Sequence, residues 1–306
     1  MAARELVVLG TSSQAPTRTR NHNGYVLRWD STTLMFDPGE GTQRQMVLAG
    51  VASPRIERIC VTHSHNDHCL GVPGVLARMA LDAPGRRVAL HGPDAALGHL
   101  GDLVRVAQAD VDVELSAVRP GAEPLDVAGA ALRGVALDHR VPAVGYRLDE
   151  PARPHLLRDR LAAAGIVGPD VGRLQREGEL RGVKLAEVSV TRPGQSFAFV
   201  MDTRLCPGVE ELLRGVDLAV VESTFLDRDA RLAQDYAHLT ARQAATAAAR
   251  AGVRRLVLTH YSQRYGNLEE IAAEARSAVR EAGGSTEVHV AADLDVIAVP
   301  ARRETT

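Results

Sequence analysis

Between Val61 and Gly71 the chain reads Val61-Thr-His-Ser-His-Asn-Asp-His-Cys-Leu-Gly71, with His63, His65, Asp67 and His68 directly after the apolar run Ile59-Cys60-Val61. Imidazole nitrogens and a carboxylate suit a borderline cation such as zinc. Side chains of extended backbone repeat every second residue, so His63 and His65 leave a strand end pointing the same way. The Asp67-His68 pair then turns back, and one short loop can serve two adjacent metals. A histidine-rich surface turn is the plain alternative, but it would need no partners elsewhere in the chain.

Such partners exist. Buried-strand patterns each end in a metal-competent or acid/base residue: Asp37, His63 with its companions, His139, Asp202, Glu222 and His260. In layered α/β folds, reactive groups gather outside the carboxyl ends of strands. We assign His63, His65 and His139 to one zinc and Asp67, His68 and His260 to a second, with Asp202 shared. Two zinc ions per subunit, ~3.5–4 Å apart, need such a bridging anion. They lower the pKa of bound water toward neutrality and so yield a hydroxide nucleophile. Asp67 is also placed to take a proton from the attacking water. Manganese or iron would suit the same nitrogen and oxygen donors.

The elements that must carry these residues are legible in part. Leu6–Leu9, Tyr25–Arg28, Thr33–Phe36, Arg87–Leu90, Val111–Leu115, Ala131–Leu137, Ser196–Met201, Asp217–Val221, Arg255–Thr259 and Glu287–Ala291 have strand patterns. Asp30-Ser31 marks a hairpin. Helices are predicted over Arg44–Ala49, from Gly71 to Leu81, over Asp94–Ala107 and over Leu268–Ala282. Thr240-Ala-Arg-Gln243 is a capping-box signature opening an Ala-rich helix that stops at Gly252. From Asp149 to Gln195 the composition shifts to Pro, Gly and Arg with few apolar runs, and 150–194 is taken as an arm inserted in a single 1–306 domain.

At 306 residues and 45% hydrophobic the chain can bury a full core, but aromatics are only 3%, so Ala, Val and Leu must fill most of it. A formal net charge of −2 gives no global basic field, so a nucleic-acid substrate would need local positive patches. Cys60, Cys69 and Cys206 are odd in number and lack Cys-x-x-Cys spacing, which argues against a disulfide scaffold and fits a reducing compartment. The start, Met1–Gly10, is too short and too soon broken for a signal peptide, and no run approaches a membrane span. The expectation is a cytoplasmic protein.

These residues resemble the metallo-β-lactamase superfamily and, within it, the ribonuclease Z family. The likeness runs through Leu9-Gly10-Thr11, Phe36-Asp37 with Gly39-Glu-Gly-Thr-Gln43, Thr62–His68 with Gly71–Leu76, and His139 before Gly145-Tyr146. It continues in Asp202-Thr203-Arg204, Glu222–Phe225, His238, and Thr259–Ser262 with Arg264-Tyr265. The histidine motif alone indicates the superfamily. The Gly-Glu-Gly-Thr-Gln loop, the His238 segment and the arm indicate the family.

The resemblance implies an αβ/βα sandwich of two mixed sheets flanked by helices, carrying a substrate-binding arm. It implies a zinc-dependent endoribonuclease that removes the 3′ trailer from precursor tRNA, in a homodimer whose arm serves the partner's site. A zinc phosphodiesterase acting on small phosphodiesters or other RNAs is the alternative. By the same resemblance Gly168-Pro169, with Arg173 and Arg176 behind it, would grip tRNA through its phosphates. His238 would protonate the departing 3′ oxygen with Glu222 orienting it, and Asp37 would accept a hydrogen bond from a ligand histidine. Two motifs depart from the family: Val221-Glu-Ser-Thr224 replaces His-Glu-Ala-Thr, and His238-Leu-Thr-Ala241 replaces His-Ser-Thr-Ala.

Overall fold

The strands come first because the site hangs from their ends. The computed structural model describes residues 4–303; Met1–Ala3, which open the amino-terminal run discussed above, lie outside them. The first sheet is built from β1 (Glu5–Gly10), β2 (Gly24–Trp29), β3 (Thr32–Phe36), β4 (Arg58–Cys60), β5 (Arg86–Gly92) and β6 (Val111–Ala117). β1 to β3 run antiparallel, and β3 to β6 run parallel. The second sheet begins with β7 (Leu125–Val127), β8 (Ala130–Leu137) and β9 (Ala143–Asp149).

The chain then forms β10 (Arg153–Leu156), β11 (Glu179–Leu180), β12 (Val183–Lys184) and β13 (Ser189–Arg192), where β10 pairs with β13 and β11 with β12. It returns to the second sheet with β14 (Ser196–Val200), β15 (Leu218–Glu222), β16 (Arg255–Thr259) and β17 (Glu287–Val290), four parallel neighbours. Last, β18 (Val296–Ala298) closes the first sheet against β1. Each large sheet has seven strands, in the orders β18-β1-β2-β3-β4-β5-β6 and β17-β16-β15-β14-β9-β8-β7.

Helices cover both outer faces. α1 (Thr42–Leu48), the single turn α2 (Asn66–Cys69), α3 (Val72–Asp82) and α4 (Leu97–Ala107) belong to the first sheet's side. There Met46, Val75, Leu76 and Leu100 pack on Val7, Met35, Ile59 and Leu90. Two helices, α5 (Arg158–Ala163) and α6 (Pro169–Glu177), lie in the inserted segment. The second sheet carries α7 (Pro207–Leu213), α8 (Ala230–Tyr236), α9 (Ala241–Arg250) and α10 (Glu269–Glu281). The Ala face of α9, Ala241, Ala244, Ala245 and Ala248, lets that helix approach closely.

The scarce aromatics are concentrated between the sheets. Phe36 sits 5.8, 5.4 and 4.8 Å (ring centroids) from Tyr146, Phe197 and Phe199. The layer is therefore aromatic-rich, while Ala, Val and Leu fill the outer layers as composition suggested. Hairpin β2–β3, capped helix α9 and the long α10 follow their sequence signals. The short edge strands β7 and β18, and helices α7 and α8, were not anticipated, because pieces this brief carry too few residues to show a period.

The described chain divides into two compact units: the sandwich, up to Leu148 and again from Ser196 to Pro300, and the segment 149–195 with residues 301–303. The second unit has its own small nucleus of Leu161, Ile166, Leu174, Leu180 and Val188. Its stem is closed by Glu150, whose amide donates to the Gln195 carbonyl (3.0 Å) and whose carboxylate accepts from the Gln195 amide (3.1 Å) and from Arg302 (2.9 Å).

Candidate metal centre

Asp37, His139, Asp202, Glu222 and His260 lie at or just beyond strand ends of the sandwich, whereas Asp67 and His68 sit on the turn α2. Asp37 follows β3, His139 follows β8, Asp202 follows β14 and His260 follows β16, while Glu222 is the last residue of β15. Asp37, Asp202 and His260 have φ of 43°, 34° and 61°, left-handed values that a side chain with a Cβ disfavours. The chain accepts this strain where it must turn sharply and send a side chain back over the sheet ends. Beneath the histidine loop, Gly39 and Gly71 allow backbones to touch: a Cβ on Gly39 would lie 2.2 Å from the Asp67 carbonyl, and one on Gly71 2.0 Å from the Gly39 carbonyl. This accounts for Gly39 in the Gly-Glu-Gly-Thr-Gln loop, while Gly41 takes a left-handed φ of 82°.

Two donor sets meet at one carboxylate. His63 Nε2 and His65 Nδ1 are 2.9 Å apart, and His139 Nε2 is 3.3 Å from His65 Nδ1. Asp202 Oδ2 faces that trio, 3.6 Å from His63 and 3.7 Å from His139. Its Oδ1 faces the other set, 3.3 Å from His68 Nε2 and 3.2 Å from His260 Nε2. Asp67 Oδ2 completes that set at 3.4 Å from His68 and 3.6 Å from His260. The turn α2 carries Asp67 and His68 away from His63 and His65, so one loop feeds both sets.

These spacings fit cations. Tetrahedral bonds of ~2.0–2.1 Å set donors about 3.3 Å apart. Within each set all ligand atoms lie inside 4.8 Å of one another. Asp202 Oδ1 and His260 Nε2 are buried with no hydrogen-bond partner among the described residues, as expected of atoms meant for metal. The far side of most rings is anchored. His68 Nδ1 meets Asp37 Oδ2 at 2.7 Å, His139 Nδ1 meets the Ala237 carbonyl at 2.9 Å and His260 Nδ1 meets Thr224 Oγ1 at 2.7 Å. His63 Nδ1 meets Thr62 Oγ1 at 3.0 Å. In each case an N–H donates outward and leaves Nε2 free to ligate. Thr62, Thr224 and the Ala237 carbonyl had no role in the sequence reading. A threonine directly before His63 and another after Glu222 were the only available signals.

The electrostatics favour cation binding. Burial, aided by neighbouring imidazoles, keeps His63, His65 and His139 below the usual histidine range, hence neutral with lone pairs available. Burial alone would protonate Asp202 and Asp67, but the histidines around them hold both below the usual carboxylate range. For His68 burial opposes charge, yet Asp202, Asp67 and Asp37 outweigh it and draw positive charge to that point.

His238 stands beside this centre. It precedes the N-cap Thr240, whose hydroxyl and Gln243 side chain form the capping box. Its Nδ1 lies 3.1 Å from Glu222 Oε1 and 4.0 Å from Asp202 Oδ2. Burial works against a charged ring, but Glu222 and Asp202 lift its pKa to about 9. His238 also falls within ligand distance of Asp202 and His260. A cleft of about 800 Å³ opens over Asp67, Asp202, His238 and His260, with Arg140, Phe225, Tyr236 and Arg264 around it. Gly168, Pro169, Arg173 and Arg176 lie instead in the 149–195 unit, on and before α6.

Comparison with known proteins places this geometry. A protein of Kineococcus radiotolerans named ribonuclease Z is 66% identical over 99% of this chain and 98% of its own length. One of Nocardia farcinica with the same name is 55% identical over 99% of this chain and 100% of its own. The chain belongs to the ribonuclease Z family. Family models described as a beta-lactamase superfamily domain and as the anti-Pycsar protein Apyc1 match residues 167–261 and 4–104. The crystal structure of human tRNase Z, short form, superposes with a TM-score of 0.68 at 23% identity, covering 97% of this chain and 100% of that one. The sandwich described above is thus the metallo-β-lactamase fold, as the resemblance implied, and its histidine–aspartate cluster suits metal ions.

Proposed function

We propose that the chain is an endoribonuclease that removes the 3′ trailer from precursor tRNA and leaves a 3′-hydroxyl on the retained RNA. The observation that carries this is the pair of donor sets joined by Asp202, in a chain that matches ribonuclease Z relatives along their full length. We read the ions as two zincs, one held by His63, His65, His139 and Asp202, the other by Asp67, His68, His260 and Asp202; manganese or iron would suit the same donors. When bound, the cations would supply Lewis acidity and a water acidic enough to attack phosphorus at neutral pH.

The side chains account for the protons. As the new bond to phosphorus forms, the Asp67 carboxylate accepts a proton from the attacking water. As the bond from phosphorus to the 3′ oxygen breaks, His238 donates a proton to that oxygen, so the leaving group departs neutral. Glu222 holds His238 through Nδ1 and steadies its charge, leaving Nε2 to face the cleft. Asp37 and Thr224 keep two ligand rings in the tautomer that ligation requires.

In this reading 150–194 is the tRNA-binding arm. Gly168 (φ 58°) turns the chain into Pro169, and α6 presents Arg173 and Arg176 to solvent. A homodimer and a cytoplasmic location belong to the same reading. The free cysteines fit a reducing compartment, and no helix of the described residues is long and apolar enough to cross a membrane. The test is to incubate purified protein with an unprocessed tRNA transcript, map both new ends and measure bound metal. One cut after the acceptor stem with a free 3′-hydroxyl and about two ions per chain is expected. No cutting by metal-loaded protein, or a cut leaving a 3′-phosphate, would sink the reading.

A further inference from the structure

The chain has ten aromatic residues, and nine of them are buried: Trp29, the four phenylalanines and four of the five tyrosines are each at most 6% exposed. The exception is Tyr236, 48% exposed, and it lines the cleft over the metal centre. A sequence this poor in aromatics gains nothing for its core from a ring left in water. The Tyr236 hydroxyl makes no hydrogen bond among the described residues, so the ring is not held there by its polar end.

What holds it is local and rigid. Tyr236 ends α8, and the backbone on either side is tied to the site. Arg204 Nε donates to the Gln234 carbonyl (3.1 Å), the His238 amide to the Ala233 carbonyl (2.8 Å) and the ligand residue His139 to the Ala237 carbonyl (2.9 Å). The Arg140 guanidinium lies over the ring, 5.9 Å from its centroid. Arg140 is exposed and has no carboxylate partner among the described residues, whereas nearby Arg204 pairs with Asp138. A cation stacked on an aromatic face keeps its outward N–H groups free for phosphate, and half-exposure leaves the rest of the ring open.

We propose that Tyr236 and Arg140 form a nucleobase platform: an unpaired base flanking the scissile phosphate stacks on the Tyr236 ring while Arg140 contacts its phosphate. Single-stranded RNA is held in this way, by aromatic faces and guanidinium planes that accept any base. This gives the cleft a sequence-tolerant grip on the nucleotide next to the cut. It rests on the RNA reading above and names the substrate part that the cleft binds.

The test pairs enzyme variants with substrate variants in the full-length protein. Wild type, Tyr236→Phe and Tyr236→Leu would be assayed on a precursor tRNA transcript and on transcripts made abasic at either position flanking the cut. Stacking is expected to make Tyr236→Leu roughly tenfold poorer in kcat/KM, chiefly through KM, with Tyr236→Phe close to wild type. At one of the two abasic positions wild type should fall to the same level and Tyr236→Leu should fall no further. Equal losses for Tyr236→Leu on intact and both abasic RNAs would overturn the platform, as would no loss at all. Binding of a short single-stranded RNA and its abasic counterpart provides a second readout. If wild type cuts no tRNA, the function reading fails; the platform fails separately if Tyr236→Leu binds that oligonucleotide as tightly as wild type does.

Discussion

In the sandwich unit, Asp37, His63, His68 and Glu222 are fully buried, and their side-chain atoms meet named partners. In the 149–195 unit, Arg158, Arg160, Arg173, Arg176 and Arg181 are exposed over a nucleus of five apolar side chains. Two of these arginines already have acidic neighbours, Arg173 with Glu177 (3.2 Å) and Arg181 with Asp170 (2.8 Å). Water screens such pairs, so each contributes little and tolerates change. Buried charges have no solvent to fall back on, so removing one member leaves the others uncompensated. A site that makes and breaks bonds needs the first arrangement. A surface that meets phosphates through their charge alone can use the second.

The contrast can be broken by experiment. His65→Ala removes a donor from the trio and should lower turnover by more than about a thousandfold, with loss of bound metal and much RNA binding retained. Cleavage that persists in chelator-treated buffer would show that the buried cluster is not the source of the chemistry. Excising Arg153–Lys184 and closing the gap with a short linker should lower tRNA cleavage on the order of a hundredfold while a small chromogenic diester is still cut. The milder double change Arg173→Ala with Arg176→Ala should raise KM for tRNA roughly tenfold and flatten its salt dependence. Equal loss of both activities would make the segment a structural part of the fold, and loss of neither would make it dispensable.

The smallest effect concerns stability, again inside the sandwich. His91 is 2% exposed, receives an N–H from Arg58 at Nε2 (3.1 Å) and meets Ser116 at Nδ1 (2.8 Å). Burial, reinforced by the Arg58 charge, pushes its pKa down to about 4. The unfolded chain, with an ordinary histidine, binds the proton first. Stability is therefore fully present above pH ~6.5 and drains away as pH falls toward 4, by up to about 3 kcal/mol. Urea melts of His91→Gln should show a flatter stability profile between those pH values. An unchanged slope would place the acid sensitivity elsewhere.

How much of this was legible beforehand follows from the range of each interaction. The His63–His68 loop, the Asp30-Ser31 hairpin and the capping box at Thr240 are local signals, and each could be read from neighbouring residues. The ends of β3, β8, β14, β15 and β16 could be read as positions where reactive residues follow apolar runs. The elements of the 149–195 unit, the edge strands β7 and β18, and Tyr236 at the end of α8 could not be read. Short elements and a lone exposed ring carry no period, and what they do depends on neighbours far away in sequence.

By itself the sequence determined the donor types, their spacing within the histidine loop and the alternation of apolar strands with helices, because these depend on residues a few positions apart. Only the tertiary structure decided that Asp202 turns one oxygen to each donor set, that Thr62, Thr224 and the Ala237 carbonyl set the tautomers, and that the turns carrying Asp37, Asp202 and His260 adopt left-handed backbone. Those outcomes depend on packing two sheets face to face, which brings together residues more than two hundred positions apart, such as Tyr25 and Thr259, and leaves their polar atoms little water to choose instead.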